Sequence, residues 1–326
     1  MSEILLRVRN LTKHFPVYAG IFRKEIDKVY ALNGIDFDIR KKEVVGMVGE
    51  SGCGKTTAGR TLLRLIEPSF GEVFFEGVNF TTLSQRAIKP LRKEMQIVFQ
   101  DPYSSLNPRK TIGMSIGEGL LYHRLVKTKK ELADSIVQNL ERVGLGADAI
   151  DRYPHQFSGG QQQRICIGRA IALRPKLLVC DEAVSALDVS VQAQILCLLN
   201  DLKEELGLSI LFISHDLSVV NYICDRIVVM YQGYIVESAS AKELYSNPKH
   251  PYTEVLLSAI PKEHPDEKKD RTVMRGKIEA LADRQQGCPF VGRCPHAKEE
   301  CAIRKPPKKV FQDSEGNDHE YYCILD

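Results

Sequence analysis

The chain has 326 residues, 43% of them apolar, and a formal net charge of +3, which suits a soluble globular protein with one large and one small domain. That charge is too mild to argue for nucleic-acid binding, and no apolar run approaches the roughly 18 residues of a membrane span. Met1 to Asn10 carries Glu3, Arg7 and Arg9 among its apolar residues, so it does not read as a secretory signal and points to the cytoplasm.

In chain order, Glu43 to Val48 is a short apolar run that predicts a strand, and Thr56 to Ile66 has helical spacing through Leu62, Leu63, Leu65 and Ile66. Asp101 to Gly160 lacks strand runs, and Lys129 to Val143 is helically periodic, so a mostly helical subdomain (roughly 101–165) is expected inside the sheet domain. Leu177 to Cys180 and Ile210 to Ile213 read as strands buried on both faces of a parallel sheet, with a helix over Val189 to Leu206 between them. The alternation implies a three-layer α/β core. Prolines 248, 251, 261 and 265 mark a change in composition, and the charged stretch Lys262 to Arg271 reads as a linker. The expected partition is a large domain at 1–260, then linker and small carboxy-terminal domain at 261–326.

Gly49-Glu50-Ser51-Gly52-Cys53-Gly54-Lys55-Thr56 fits G-x-x-x-x-G-K-[ST], a phosphate-binding loop. Its glycines let backbone N–H groups face the phosphates, and the following helix adds its positive end. Lys55 is expected on the β- and γ-phosphates of ATP, the Thr56 hydroxyl on Mg²⁺, and Thr57 in the same nucleotide site. Asp181, at the end of an apolar strand, suits the Mg²⁺ shell, and Glu182 is placed to polarise the attacking water. Two acids merely capping a strand end is the plainer alternative, and the matching loop outweighs it.

With Phe157-Ser158-Gly159-Gly160-Gln161 downstream, the chain resembles the nucleotide-binding subunit of an ATP-binding cassette (ABC) transporter over essentially its whole length. The resemblance implies an ABC-type P-loop NTPase, a RecA-like core with an inserted helical subdomain. It implies that Ser158, Gly159, Gly160 and Gln161 complete the ATP site of a partner subunit, so that the chain hydrolyses ATP as a dimer. Gln100 resembles the Q-loop glutamine that senses Mg²⁺, Asp188 in Ser185-Ala186-Leu187-Asp188 the D-loop aspartate, and His215 the switch histidine. Phe15 aligns best with the family's aromatic position for adenine, an insertion follows it, and Tyr30 is the rival ring. Two departures stand out: Phe157 replaces the usual leucine, and Gln162 stands where a basic residue is frequent.

Phe99 to Pro108 and Asn247 to Thr253 are similar to segments of oligopeptide and dipeptide importer ATPases, and the whole resembles their F-type subunit. That architecture implies a second, different ATPase, two permease subunits, an extracytoplasmic substrate-binding protein and a place at the cytoplasmic face of the membrane. Related nickel, glutathione or oligosaccharide importers remain alternatives. A soluble ABC ATPase acting on nucleic acid or ribosomes is disfavoured by the single phosphate loop and the absence of sustained heptads.

Of nine cysteines, Cys53, Cys166, Cys180, Cys197 and Cys224 lie in apolar segments and read as small packing residues. Cys288, Cys294, Cys301 and Cys323 resemble a carboxy-terminal set that holds an iron–sulfur cluster in some members. The resemblance implies a 4Fe-4S cluster there. Four thiolates also suit zinc, and plain thiols are the third reading, because C-x5-C-x6-C-x21-C lacks a close C-x2-C pair.

Overall fold

The computed structural model describes residues 3–20, 24–260 and 287–325. In chain order they form strands β1 (Ile4–Ala19), β2 (Lys24–Arg40) and β3 (Val44–Val48), helix α1 (Lys55–Leu62), strands β4 (Phe70–Phe75) and β5 (Val78–Asn79), helix α2 (Gln85–Ile88) and strand β6 (Met95–Val98). Helices α3 (Pro102–Ser105), α4 (Ile112–Tyr122), α5 (Lys129–Arg142) and α6 (Gly159–Ile171) follow. Next come β7 (Leu177–Asp181), α7 (Val189–Leu206), β8 (Ser209–Ile213), α8 (Leu217–Ile223), β9 (Arg226–Tyr231) and β10 (Tyr234–Ser240). The remainder is α9 (Ala241–Ser246), α10 (Pro251–Ser258), α11 (Glu299–Ile303), β11 (Lys308–Gln312) and β12 (Asp318–Tyr322). Among the described residues no helix is long and apolar enough to cross a membrane.

The chain divides into two compact units. One comprises Met1–Leu5, Ile39–Val44 and Thr82–Ile213. Here β6, β7 and β8 are parallel neighbours, with Cys180 opposite Val98 on one side and Phe212 on the other. Every residue of β7 and β8 is buried, as continuous apolar runs require in a parallel sheet covered on both faces. Helix α7 buries Ile195, Leu198, Leu199 and Leu202 and stops at Gly207, which takes the left-handed conformation that favours glycine. The stretch expected to be helical holds α3, α4 and α5. Thr111 caps α4, and Thr128 with Glu131 forms a reciprocal capping box on α5.

The second unit comprises Leu6–Asp38, Val45–Thr81 and Ser214–Asp326. One sheet of this unit runs β2-β1-β4-β5; its other strands are ordered β11-β12-β10-β9-β3. Strand β3 is wholly buried and parallel to β9. A two-residue turn, Gln232-Gly233, joins β9 to β10 with φ positive at both positions, a geometry matched to the twist of a hairpin. The segment after Pro16 extends β1 to Ala19 and opens β2 at Lys24; residues 21–23 between them lie outside the described residues, as does the expected linker Lys262 to Arg271.

The residues beyond the linker join this second unit. Strand β12 pairs with β10, Glu237 opposite Tyr321. The fully buried Glu237 carboxylate accepts from the Lys249 and His250 N–H groups (2.6 and 3.0 Å) and lies 2.7 Å from His319 Nε2. Phe290, 1% exposed, packs against Tyr231 and Tyr252 with centroids 5.2 and 5.3 Å apart. The prolines that mark a change in composition do not all break structure. Pro251 occupies the first turn of α10, where its missing N–H costs nothing.

His250 caps that helix, its Nδ1 accepting from the Tyr252 N–H at 3.1 Å. Burial pushes its imidazole down to about 4. Above the ordinary histidine value near 6.5 the ring is neutral in both folded and unfolded chains. As pH falls from there towards 4, only the unfolded chain takes up the proton, so stability drops by about 1.4 kcal/mol per unit and about 3 kcal/mol in all. Denaturant midpoints measured between pH 7 and 4.5 are expected to fall less steeply in His250→Asn, which keeps a capping acceptor and cannot titrate.

Candidate functional site

The second unit carries the phosphate loop between β3 and α1. Gly54 takes φ +107°, and a Cβ there would meet the Ala31 carbonyl at 2.3 Å. A Cβ on Gly49 would meet the Met230 carbonyl at 2.1 Å. Only glycine lets the loop pack this closely against those carbonyls. Lys55 is 4% exposed, and its Nζ donates to the carbonyls of Gly49 (2.8 Å) and Glu50 (3.0 Å). Ser51 and Gly52 are exposed at the loop's tip, while Thr56 and Thr57 are half-buried on α1. Burial raises the Cys53 thiol above its usual value, so Cys53 fills space under the loop as a neutral group.

Two supports of this loop were not legible in the sequence. The Glu50 N–H donates to the Tyr252 hydroxyl at 2.9 Å, and the Glu50 carboxylate accepts both Arg293 Nη groups at 2.6 and 2.9 Å. Tyr252 lies in the Asn247 to Thr253 segment and Arg293 beside Cys294, yet nothing local says that either returns to residue 50.

Tyr30 lines a hollow of about 250 Å³ with Asn10, Thr12, His14, Asn33, Gly34 and Tyr234. Its ring meets His14 edge-on at 4.5 Å. Phe15 is half-buried, with Lys13 Nζ 4.8 Å from its ring centroid. His215 is exposed just beyond β8; the neighbouring Ser214 N–H donates to the Met47 carbonyl and Asp216 caps α8.

The first unit brings together Gln100 and Glu182. Asp181 closes β7 at 2% exposed. Glu182 follows with φ +51°, an uncommon conformation for a residue with a side chain, held by its N–H donating to the Ile213 carbonyl at 3.0 Å. Gln100 Nε2 donates to the Glu182 carboxylate at 3.0 Å and lies 3.4 Å from Ser185 Oγ. Asp188 is the N-cap residue of α7, but its side chain makes no capping bond and is exposed. Val189 beside it is 81% exposed.

Ser158 and Gln161 form a capping box on α6. Ser158 Oγ accepts from the Gln161 N–H at 3.4 Å, and Gln161 Oε1 accepts from the Ser158 N–H at 3.0 Å. A Cβ on Gly160 would lie 2.5 Å from Val191, so glycine there permits close packing of α6 against α7. Gly159 has ordinary room. The two departures also find physical reasons. Gln162 is buried and donates to the carbonyls of Pro154 and Phe157, a place where a cation would be costly. Phe157 packs under the Arg152 guanidinium, 4.2 Å from its ring.

The expectation at the four carboxy-terminal cysteines is corrected. All four are described, and among the described residues no group of three or more His, Cys, Asp or Glu could hold a metal ion. The iron–sulfur reading fails on that finding, and zinc has no support either. Burial, reinforced by the neighbouring thiols, pushes the Cys288 thiol up to about 12. Burial raises Cys294 and Cys323 as well, and Cys301 is buried. Cys288, Cys294 and Cys323 are thus held as neutral thiols. None of the nine cysteines is in a disulfide. Iodoacetamide at pH 8 is therefore expected to modify exposed Cys197 first and Cys288 at least about tenfold more slowly, as followed by peptide mass spectrometry.

Comparison with known proteins agrees with this geometry. The ABC transporter family matches residues 32–185, and the family described as oligopeptide/dipeptide transporter, C-terminal region, matches residues 236–301. A Brucella ovis relative named as a peptide import ATP-binding protein is 50% identical over 322 residues, 99% of this chain and 98% of its own. The oligopeptide transport ATP-binding protein AppF of Bacillus subtilis is 46% identical over 311 residues, 94% of each chain. Among solved structures, the ATP-binding cassette MJ0796, dimeric and bound to ADP and Pi, is similar with a TM-score of 0.65 and 27% identity, covering 72% of this chain and 98% of its own. The chain belongs to the ABC transporter ATP-binding proteins that carry the oligopeptide/dipeptide transporter C-terminal region.

Proposed function

We propose that this chain hydrolyses ATP to energise the import of peptides, with residues 1–260 as the ATPase domain and 261–326 as linker and carboxy-terminal domain. The observation that carries the reading is the glycine-walled phosphate loop with buried Lys55, in a chain whose close relatives are named for peptide transport. Those names favour peptides over nickel, glutathione or oligosaccharides as cargo.

The loop glycines form a cradle that a Cβ would fill, which suits an anion held by backbone N–H groups. Lys55 neutralises the β- and γ-phosphates of ATP. Thr56, Gln100 and Asp181 offer the hard oxygens that Mg²⁺ prefers and would hold it; when bound, the ion neutralises charge on the phosphates. Glu182 orients a water molecule through its carboxylate and takes the proton as the water oxygen bonds to the γ-phosphorus. The bond to the β–γ bridging oxygen breaks, leaving ADP and phosphate. Gln100 holds the Glu182 carboxylate in place, and His215 contacts the γ-phosphate. Tyr30 is the adenine platform: it lines the hollow, and its neighbour Ala31 abuts Gly54 of the loop.

Ser158, Gly159, Gly160 and Gln161 serve the ATP site of a second ATPase subunit, with Asp188 at the shared interface. Exposure of Ser158, Gln161, Asp188 and Val189 supports this. The permease pair docks on the α4 side of the first unit, where Met114, Leu121, Tyr122 and Leu125 are exposed, since apolar side chains grouped on a surface mark an interaction site. The chain then sits at the cytoplasmic face of the membrane, and an extracytoplasmic binding protein delivers the peptide.

Affinity purification of the chain from gently solubilised membranes tests this assembly. A second ATPase and two multi-span permeases are expected, and the associated binding protein is expected to carry peptide. Recovery with ribosomes or nucleic acid, or a binding protein loaded with a metal or sugar, would refute the reading.

A further inference from the structure

The carboxy-terminal region reaches the phosphate loop through one side chain. Arg293 stands on a tight turn whose 293 and 294 N–H groups both donate to the Phe290 carbonyl at 3.0 Å. Phe290 anchors that turn in the aromatic cluster of Tyr231 and Tyr252. From there the guanidinium meets Glu50 fork to fork, Nη1 to Oε2 at 2.6 Å and Nη2 to Oε1 at 2.9 Å. It also lies 5.9 Å from the Tyr231 ring. The two side chains are 11% and 23% exposed. An exposed ion pair contributes little, but a bidentate pair this sheltered fixes both partners in one orientation.

Every polar group of Glu50 is engaged. Its N–H donates to the Tyr252 hydroxyl, its carboxylate accepts from Arg293, and its carbonyl accepts from Lys55 Nζ and from the Cys53 N–H at 3.2 Å. On the far side of the same loop, the Gly233 N–H donates to the Cys53 carbonyl at 2.8 Å. Glu50 thus joins the carboxy-terminal region to the lysine that meets the phosphates.

We propose that Arg293 is a positioning residue for ATP binding: by clamping Glu50 it holds the loop carbonyls that aim Lys55, so that the carboxy-terminal region sets the affinity of the site. This rests on the ATP-site reading above. Lys and Arg differ here because only the planar fork can hold both carboxylate oxygens at once.

The test is steady-state hydrolysis and equilibrium ATP binding by the full-length chain. Arg293→Ala is expected to raise KM and weaken ATP binding about tenfold while kcat stays within about twofold. Arg293→Lys should fall between, and it preserves charge if the alanine variant folds poorly. Glu50→Gln should match Arg293→Ala, and the double variant should be no worse than either single one, the signature of one shared interaction. Unchanged KM in Arg293→Ala and Arg293→Lys, or defects that multiply in the double variant, would overturn the proposal. Saturable ATP binding by the unaltered chain checks the site reading separately; its absence would remove both.

Discussion

Glu182→Gln is expected to slow ATP turnover about 10²- to 10⁴-fold while leaving ATP binding intact. The substitution changes almost nothing in shape. The glutamine carbonyl can still accept the Gln100 amide proton, now 3.0 Å from the carboxylate, and the backbone remains tied to Ile213. What disappears is a group able to take a proton from water, and positioned bases contribute by that factor. With chemistry stopped and binding preserved, ATP-bound dimers should accumulate in size-exclusion chromatography with Mg²⁺ and ATP. Turnover within a few-fold of the unaltered chain would remove Glu182 from its role.

Lys55→Ala is expected to weaken ATP binding about 100-fold, with hydrolysis falling in step. A hydrogen bond to a charged group contributes about 1.5 to 3 kcal/mol, and about 3 kcal/mol corresponds to that loss in affinity. Lys55 is buried at the loop, where its Nζ meets, among the described residues, the Gly49 and Glu50 carbonyls and the Cys53 sulfur. Its desolvated ammonium is therefore poised for an anion rather than paired with a carboxylate. Calorimetric titration with ATP checks the outcome. Unchanged affinity would mean that the loop's backbone N–H groups alone hold the phosphates. The two variants separate cleanly, since one loses binding and the other loses only chemistry.

Much of the site was legible because its chemistry is local in sequence. The phosphate loop is one uninterrupted octapeptide, and its glycines are required by backbone clashes at Gly49 and Gly54 that any side chain would create. The strand ending at Asp181 and the helix over Val189 to Leu206 follow from apolar periodicity, and both form where expected. Ser158 and Gln161 illustrate the opposite difficulty. Their spacing specifies a capping box as well as a signature motif, and in this chain they cap each other. One pattern therefore serves helix initiation and leaves Ser158 and Gln161 exposed.

The cysteines misled for a physical reason. Four thiols near the chain's end satisfy a count, but a count does not make a coordination site, and among the described residues no group of three or more His, Cys, Asp or Glu could hold a metal ion. Proline composition misled more mildly, because the cost of a proline depends on its place in a helix, and Pro251 sits where that cost vanishes.

By itself, then, the sequence determined the ATPase class, the residues of the phosphate loop, the strand-terminal acids and the buried parallel strands and helices around them, because each of these is written in short contiguous segments. Only the tertiary structure decided which distant residues hold those segments in place: Gln100 on Glu182, Tyr252 and Arg293 on Glu50, Glu237 beneath His319. The reason is that side-chain hydrogen bonds are short and directional while their partners lie up to 243 positions apart, and no periodicity or spacing rule spans such a distance.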